Sequence, residues 1–255
     1  MRNYCTFLKK EFVESFRSYR LLIMVIVFLI IGIMNPLFAY MVPIILESVM
    51  PPEMLFMEIP TPTALDSWAQ FFGNTTQMGF LTVLIVFSSI LSRELSRGTL
   101  INLVTKGLKR HIIILAKYTY LLLMWTGLYL INFAISFGYT VFLFGSAYMP
   151  NLAFSIFMLW LFGIFLLSLM MISATLVKSG YGTLLISGGV IVVLMLLNII
   201  PDVVRFNPIT LSSQNLAIIM ETMEPATLYP LIGITVGVSL LFVALATVLF
   251  RKKQL

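Results

Sequence analysis

Charge is what this sequence has least of. Only 10% of its 255 residues are Asp, Glu, Lys or Arg, against about a quarter in a soluble domain. Hydrophobic residues make up 60% and the mean hydropathy is +1.04, which points to lipid as the solvent. A single cysteine, Cys5, excludes an internal disulfide and any cysteine-based metal cluster. A single histidine, His111, argues against multi-histidine metal chemistry, and its place at the basic end of an apolar run argues against a Ser–His hydrolase. No G-x-x-x-x-G-K-[ST] phosphate loop is present, so energy for uphill work must come from another chain. No long apolar run has an ionisable residue near its middle, the usual coupling device of proton- and ion-driven transporters. The net charge of +6 would suggest nucleic acid in a soluble protein; here its distribution along the chain explains it better.

Intervals free of charge, long enough for the roughly 20 apolar residues of a membrane-crossing helix, predict an all-α polytopic membrane protein. Six spans are expected: 21–46, 74–92, 115–147, 152–177, 182–200 and 228–250. An even count puts both termini on one side. That side then holds 15 of the 16 Lys and Arg residues, and the other holds only Arg205. By the positive-inside rule the termini and the 93–110 loop are cytoplasmic. Seven of the ten acids, from Glu47 to Glu224, fall outside. No cleavable signal peptide is expected, because no Ala-x-Ala site follows the first apolar run.

Between the spans lie three features. Residues 1–20 read as a basic amphipathic helix for the inner membrane interface, with Cys5, Leu8, Phe12, Phe16 and Tyr19 at helical spacing and Arg17 on another face. Outside, Pro51, Pro52, Pro60 and Pro62 predict an irregular loop. A short interfacial helix over 63–72 comes next, its Trp68, Phe71 and Phe72 forming an aromatic belt. Residues 201–227 read as an outer re-entrant segment of one or two short helices. In the first span, Asn35-Pro36 marks a bend or a helix contact. Asn35, Asn132 and Asn198 are candidates for a substrate pathway, with interhelical hydrogen bonding the alternative at each.

The basic turn at 92–117 carries Arg93, Arg97, Lys106, Lys109, Arg110 and Lys117 against one acid, Glu94. Gly98 suits a left-handed helix end, Thr99 a new helix cap, and Leu100, Leu103 and Val104 one apolar face before Gly107. The result is a two-turn amphipathic peg, able to dock in a partner's groove or merely to form a positive loop that fixes topology. Glu94, Gly98-Thr99, Leu100, Leu103, the pair Lys109-Arg110 and Lys117 resemble the first cytoplasmic loop of ABC-2 type transporter permeases. The layout and the outer Asn207-Pro208 also resemble that family, although Lys106-Gly107-Leu108 stands where it often has a proline.

The resemblance implies a membrane-spanning subunit of an ATP-driven exporter of a lipid, peptide or drug. The chain itself would be no enzyme and carry no cofactor; ATP and Mg would sit on a separate ABC ATPase subunit. A second copy of the chain, or a related permease, would pair with it in a bacterial inner membrane. Arg93, Glu94, Arg97, Gly98, Thr99, Leu100, Leu103, Lys109 and Arg110 would form the coupling site, braced by Phe12, Phe16 and Arg17 of the N-terminal helix. Membrane lipids are the other partners expected, nucleic acid is not, and no metal ligands are assigned. The alternative is a non-transporting scaffold subunit of a larger complex.

Overall fold

The computed structural model describes residues 2–49, 61–92, 94, 98, 100, 104–105, 107–177 and 179–252. Among them the structure is helical, with no strand. The order is α1 (Arg2–Arg17), α2 (Arg20–Val49), α3 (Ala64–Asn74), a π turn (Thr75–Gly79) and α4 (Phe80–Phe87), then α5 (Arg110–Phe144), α6 (Leu152–Leu176) and α7 (Gly180–Leu197). Three short helices come next, α8 (Pro201–Val204), α9 (Thr210–Ser213) and α10 (Asn215–Ile219). A 3-10 turn (Pro225–Leu228) then leads into α11 (Tyr229–Lys252).

Five helices are long and apolar enough to cross a membrane: Arg20–Leu46, Arg110–Phe144, Leu152–Leu176, Gly180–Leu197 and Pro225–Lys252. Residues 64–87 form a further helical run, interrupted only in type by the π turn, where Phe80 N–H donates to the carbonyl of Thr75 five residues back. A π turn inserts one extra residue and rotates the helix beyond it. Residues 64–74 are therefore not a separate helix but the first part of this run. Trp68, Phe71 and Phe72 are not a belt facing outward but core, at 0%, 0% and 3% exposure. Aromatic packing decides this: Trp68 stacks on Phe133 of α5 and donates to the carbonyl of Ala147, while Phe71 meets Tyr129 edge-on.

The first long helix continues through Pro36 and Pro43. Gly32 lets it close on α5, since a Cβ there would lie 3.1 Å from the carbonyl of Asn132. α6 is the most enclosed of the five long helices, in contact with α5, α7, α9, α10 and α11. Its Gly163 leaves room for the indole of Trp125, which donates to the carbonyl of Trp160 at 3.0 Å. The segment before α11 folds back onto α6, burying Ile209, Leu211, Ile218 and Ile219. The proline-rich stretch with Pro51, Pro52 and Pro60 lies outside the described residues.

Candidate functional site

The N-terminal helix turns a face inward that ordinary amphipathic reading passes over. Phe7, Glu11 and Ser15, four residues apart, are buried, with Tyr4, Leu8 and Phe12 half-buried beside them. Tyr4 donates to the hydroxyl of Thr119 at 2.7 Å, and Phe12 packs edge-on against Tyr120 at 5.0 Å. Phe16, Arg17, Tyr19 and Cys5 point away from the protein. α1 thus leans on α5 and carries Glu11 into the base of the bundle.

There five charged side chains from three parts of the chain meet. Lys117, 1% exposed and about two turns into α5, places Nζ 2.9 Å from Glu11 Oε1 and 2.9 Å from Glu94 Oε2. It also donates to the carbonyl of Ile90 at 3.2 Å. Lys10 donates to Glu94 Oε1, to Glu14 Oε2 at 2.8 Å and to Glu11 Oε1 at 3.2 Å. The Phe7 ring covers both ammonium groups, with its centroid 5.2 Å from Lys10 Nζ and 5.6 Å from Lys117 Nζ. Such a ring adds a cation–π attraction.

Burial alone would depress the Lys10 pKa, but Glu11, Glu14 and Glu94 outweigh it and hold the ammonium above its ordinary value. For Glu14, burial pushes the pKa up, and the hydrogen bond from Lys10 overrides it and lowers the carboxyl below its usual value. Both groups are therefore ionised at neutral pH. Carboxylate oxygens of Glu11, Glu14 and Glu94 lie within 4.8 Å of one another. Two ammonium groups hold them together, so the cluster is a clamp rather than an open cation site.

Of the residues expected to couple to a partner, Glu94 is in this network. Leu100 is buried. Gly98 and Gly107 both take the left-handed backbone, with φ 66° and 89°, and residues 100, 104 and 105 are helical between them. Lys109 stands at the N-cap of α5, and Arg110 donates to the carbonyl of Arg251 at 3.0 Å. Arg93, Arg97, Thr99 and Leu103 lie outside the described residues. Sequence reasoning missed Lys10, Glu11, Glu14 and Lys117 as members of one site. Two signals were available: the Lys10–Glu14 spacing of four, and one acid among six cations in the turn.

The three asparagines separate into two places. Asn35 and Asn132 are fully buried between α2, α3 and α5. Asn35 Nδ2 donates to Ser136 Oγ at 3.0 Å, Asn74 Nδ2 to Asn35 Oδ1 at 2.9 Å, and Asn132 Nδ2 to Thr75 Oγ1 at 2.8 Å. Their amides serve interhelical hydrogen bonds. Asn198 instead lines an open pocket of about 530 Å³ bordered by α3, the π turn, α4, α6, α7, α9 and α10. Its Oδ1 accepts from Asn207 Nδ2 at 3.1 Å and Thr210 Oγ1 at 3.0 Å. No protein-family model matches this sequence, and no curated protein matches it.

Proposed function

We propose that the chain is the membrane-spanning permease subunit of an ATP-driven ABC exporter for a hydrophobic or amphiphilic cargo. A separate subunit would hydrolyse ATP with Mg. The observation that carries the reading is Glu94. The one acid of the basic turn, four residues before the peg, is clamped by Lys10 of the N-terminal helix and Lys117 of a long helix. A push on the peg would therefore reach two other elements, through the buried Glu94–Lys117 pair and the half-buried Lys10. The amphipathic N-terminal helix, the two left-handed glycines bounding the peg and the apolar spans support the same reading. In it, residues 64–87 make a sixth crossing, both ends are cytoplasmic, and two such chains pair in a bacterial inner membrane.

The test is purification in mild detergent from the native host, followed by mass determination of the intact complex. Two membrane chains with two copies of a soluble ATPase are expected. A complex that carries no ATPase in any detergent would overturn the permease reading and favour a scaffold. Within an assembled complex, Glu94→Gln is expected to retain the ATPase subunits while transport falls. Unchanged transport would remove Glu94 from coupling.

A further inference from the structure

The outward side of α1 carries a second group of charges, beside the clamp. Lys9, Val13 and Arg17 follow one another at four-residue spacing and are exposed. At Tyr19 the backbone is left-handed, with φ 57°, and the chain turns from α1 into α2. Arg17 at the end of α1 and Arg20 at the start of α2 line one open pocket of about 700 Å³, together with Lys9, Lys10 and Glu14. Glu14 accepts from Lys10 at 2.8 Å, and Lys10 also serves Glu11 and Glu94. Lys9, Arg17 and Arg20 make no ion pair with any described residue. The clamp has three carboxylates against two ammonium groups, a net charge of −1. The three cations outside it exceed that charge, so the elbow as a whole is positive.

The elbow also lies where a membrane surface belongs. Tyr4, Glu11 and Phe12 of α1, about 12 Å from first to last, meet Thr119, Lys117 and Tyr120, within one turn of α5. α1 therefore crosses α5 rather than running along it, and α5 is long and apolar enough to cross a membrane. Beyond Arg20 the outward face of α2 exposes Leu22, Ile23, Ile26 and Ile30, and Phe16 is exposed on the α1 side.

We propose that the α1–α2 elbow binds an anionic phospholipid, its headgroup drawn into the pocket by Lys9, Arg17 and Arg20 and its acyl chains lying along the exposed apolar face of α2. The attraction is that of several cations on an anionic headgroup and needs no single shared bond. Charge and apolar surface adjoin at Arg20, and an anionic phospholipid has a counterpart for each. A soluble phosphate, or an acidic protein surface, would use the cations and leave the apolar row of α2 uncovered. A zwitterionic lipid would bring an ammonium group into a positive pocket. Binding here requires neither ATP nor a partner subunit, so its failure is distinct from failure of the permease reading.

The experiment titrates the full chain, in a mild neutral detergent, with dioleoylphosphatidylglycerol or dioleoylphosphatidylcholine and counts bound lipid by native mass spectrometry. Phosphatidylglycerol is expected to bind the more tightly. Lys9→Gln, Arg17→Gln and Arg20→Gln should each weaken it about fivefold, the effect of one cation near an anionic headgroup. Phosphatidylcholine binding and the unfolding midpoint should stay unchanged, because no described residue pairs with these side chains. A control chain with Arg251→Gln and Lys252→Gln removes two cations from the end of α11 and should keep the preference. Glycerol 3-phosphate, which has the phosphate but no acyl chains, should not displace the lipid at equal concentration. Losses equal, charge for charge, in the elbow and control variants would mean diffuse attraction to a positive protein and would overturn the site. Displacement by glycerol 3-phosphate would give the pocket to a soluble anion, and phosphatidylglycerol binding indifferent to all three elbow substitutions would remove the pocket from lipid binding; either overturns the proposal.

Discussion

At the scale of residues, the five-charge clamp sets the largest single effect to be expected in this chain. Lys117 separates Glu11 from Glu94, both nearly as enclosed as Lys117 itself. Replacing it with Met keeps the volume but leaves two buried carboxylates facing each other with only Lys10 between them. Breaking a buried pair in this way costs about 3–5 kcal/mol. Lys117→Met is therefore expected to lower the thermal unfolding midpoint in detergent sharply. Adding Glu11→Gln should recover part of the loss, because Glu94 keeps Lys10 as partner and one uncompensated charge is gone. Additive losses in the double variant would mean that the three side chains do not act as one network. Part of this clamp is legible from residue types. The Lys10–Glu14 pair has helical spacing, and Glu94 stands alone among cations. Glu11 is not legible, because Leu8, Phe12 and Phe16 describe an equally good apolar stripe. Only docking of α1 on α5 selects the face bearing Phe7, Glu11 and Ser15 instead.

At the scale of elements, the long apolar helices arise from composition, and their termini from local chemistry. α6 begins at Leu152 after left-handed Asn151, α5 ends at left-handed Gly145, and Ser179 caps α7 by accepting from Gly182 N–H. What composition does not dictate is how closely two helices approach. Gly163 decides that for α5 and α6. A methyl group there would overlap the indole of Trp125, whose ring is held by its bond to Trp160 and by Phe80 and Tyr129, 5.2 Å away on centroids. Gly163→Ala is expected to destabilise by about 1–3 kcal/mol through overpacking, read as a lower unfolding midpoint. Trp125→Leu in the same chain should relieve the overlap and reduce that penalty. The run at 64–87 escapes a reading from composition for the same reason. Its aromatics suit a membrane interface equally well, and only their partners on α5, Phe133 and Tyr129, turn them inward.

At the scale of the molecule, the packing bears on how many times the chain crosses. The clamp and the Tyr4–Thr119 bond put α1 at the Arg110 end of α5. The bond from Arg110 to the carbonyl of Arg251 puts the last turn of α11 at that same end. Two ends on one side require an even number of crossings, whereas the long apolar helices number five among the described residues. In the proposed reading residues 64–87 would restore the parity; at about 1.5 Å per residue they span about 36 Å, enough for the roughly 30 Å hydrocarbon core. Cysteine accessibility tests this directly, since Cys5 is the only cysteine and is exposed. In intact cells a membrane-impermeant maleimide should leave Cys5 unmodified. It should likewise spare Lys252→Cys in a Cys5→Ser background, and both should react once the membrane is opened. Tyr148→Cys, in the exposed turn between α5 and α6, should react in intact cells. If Cys5 and Lys252→Cys respond on opposite sides, the crossings are odd, and residues 64–87 do not traverse the membrane. The basic turn would still share a side with one terminus only, and a peg braced at both ends of the chain would lose its geometric basis.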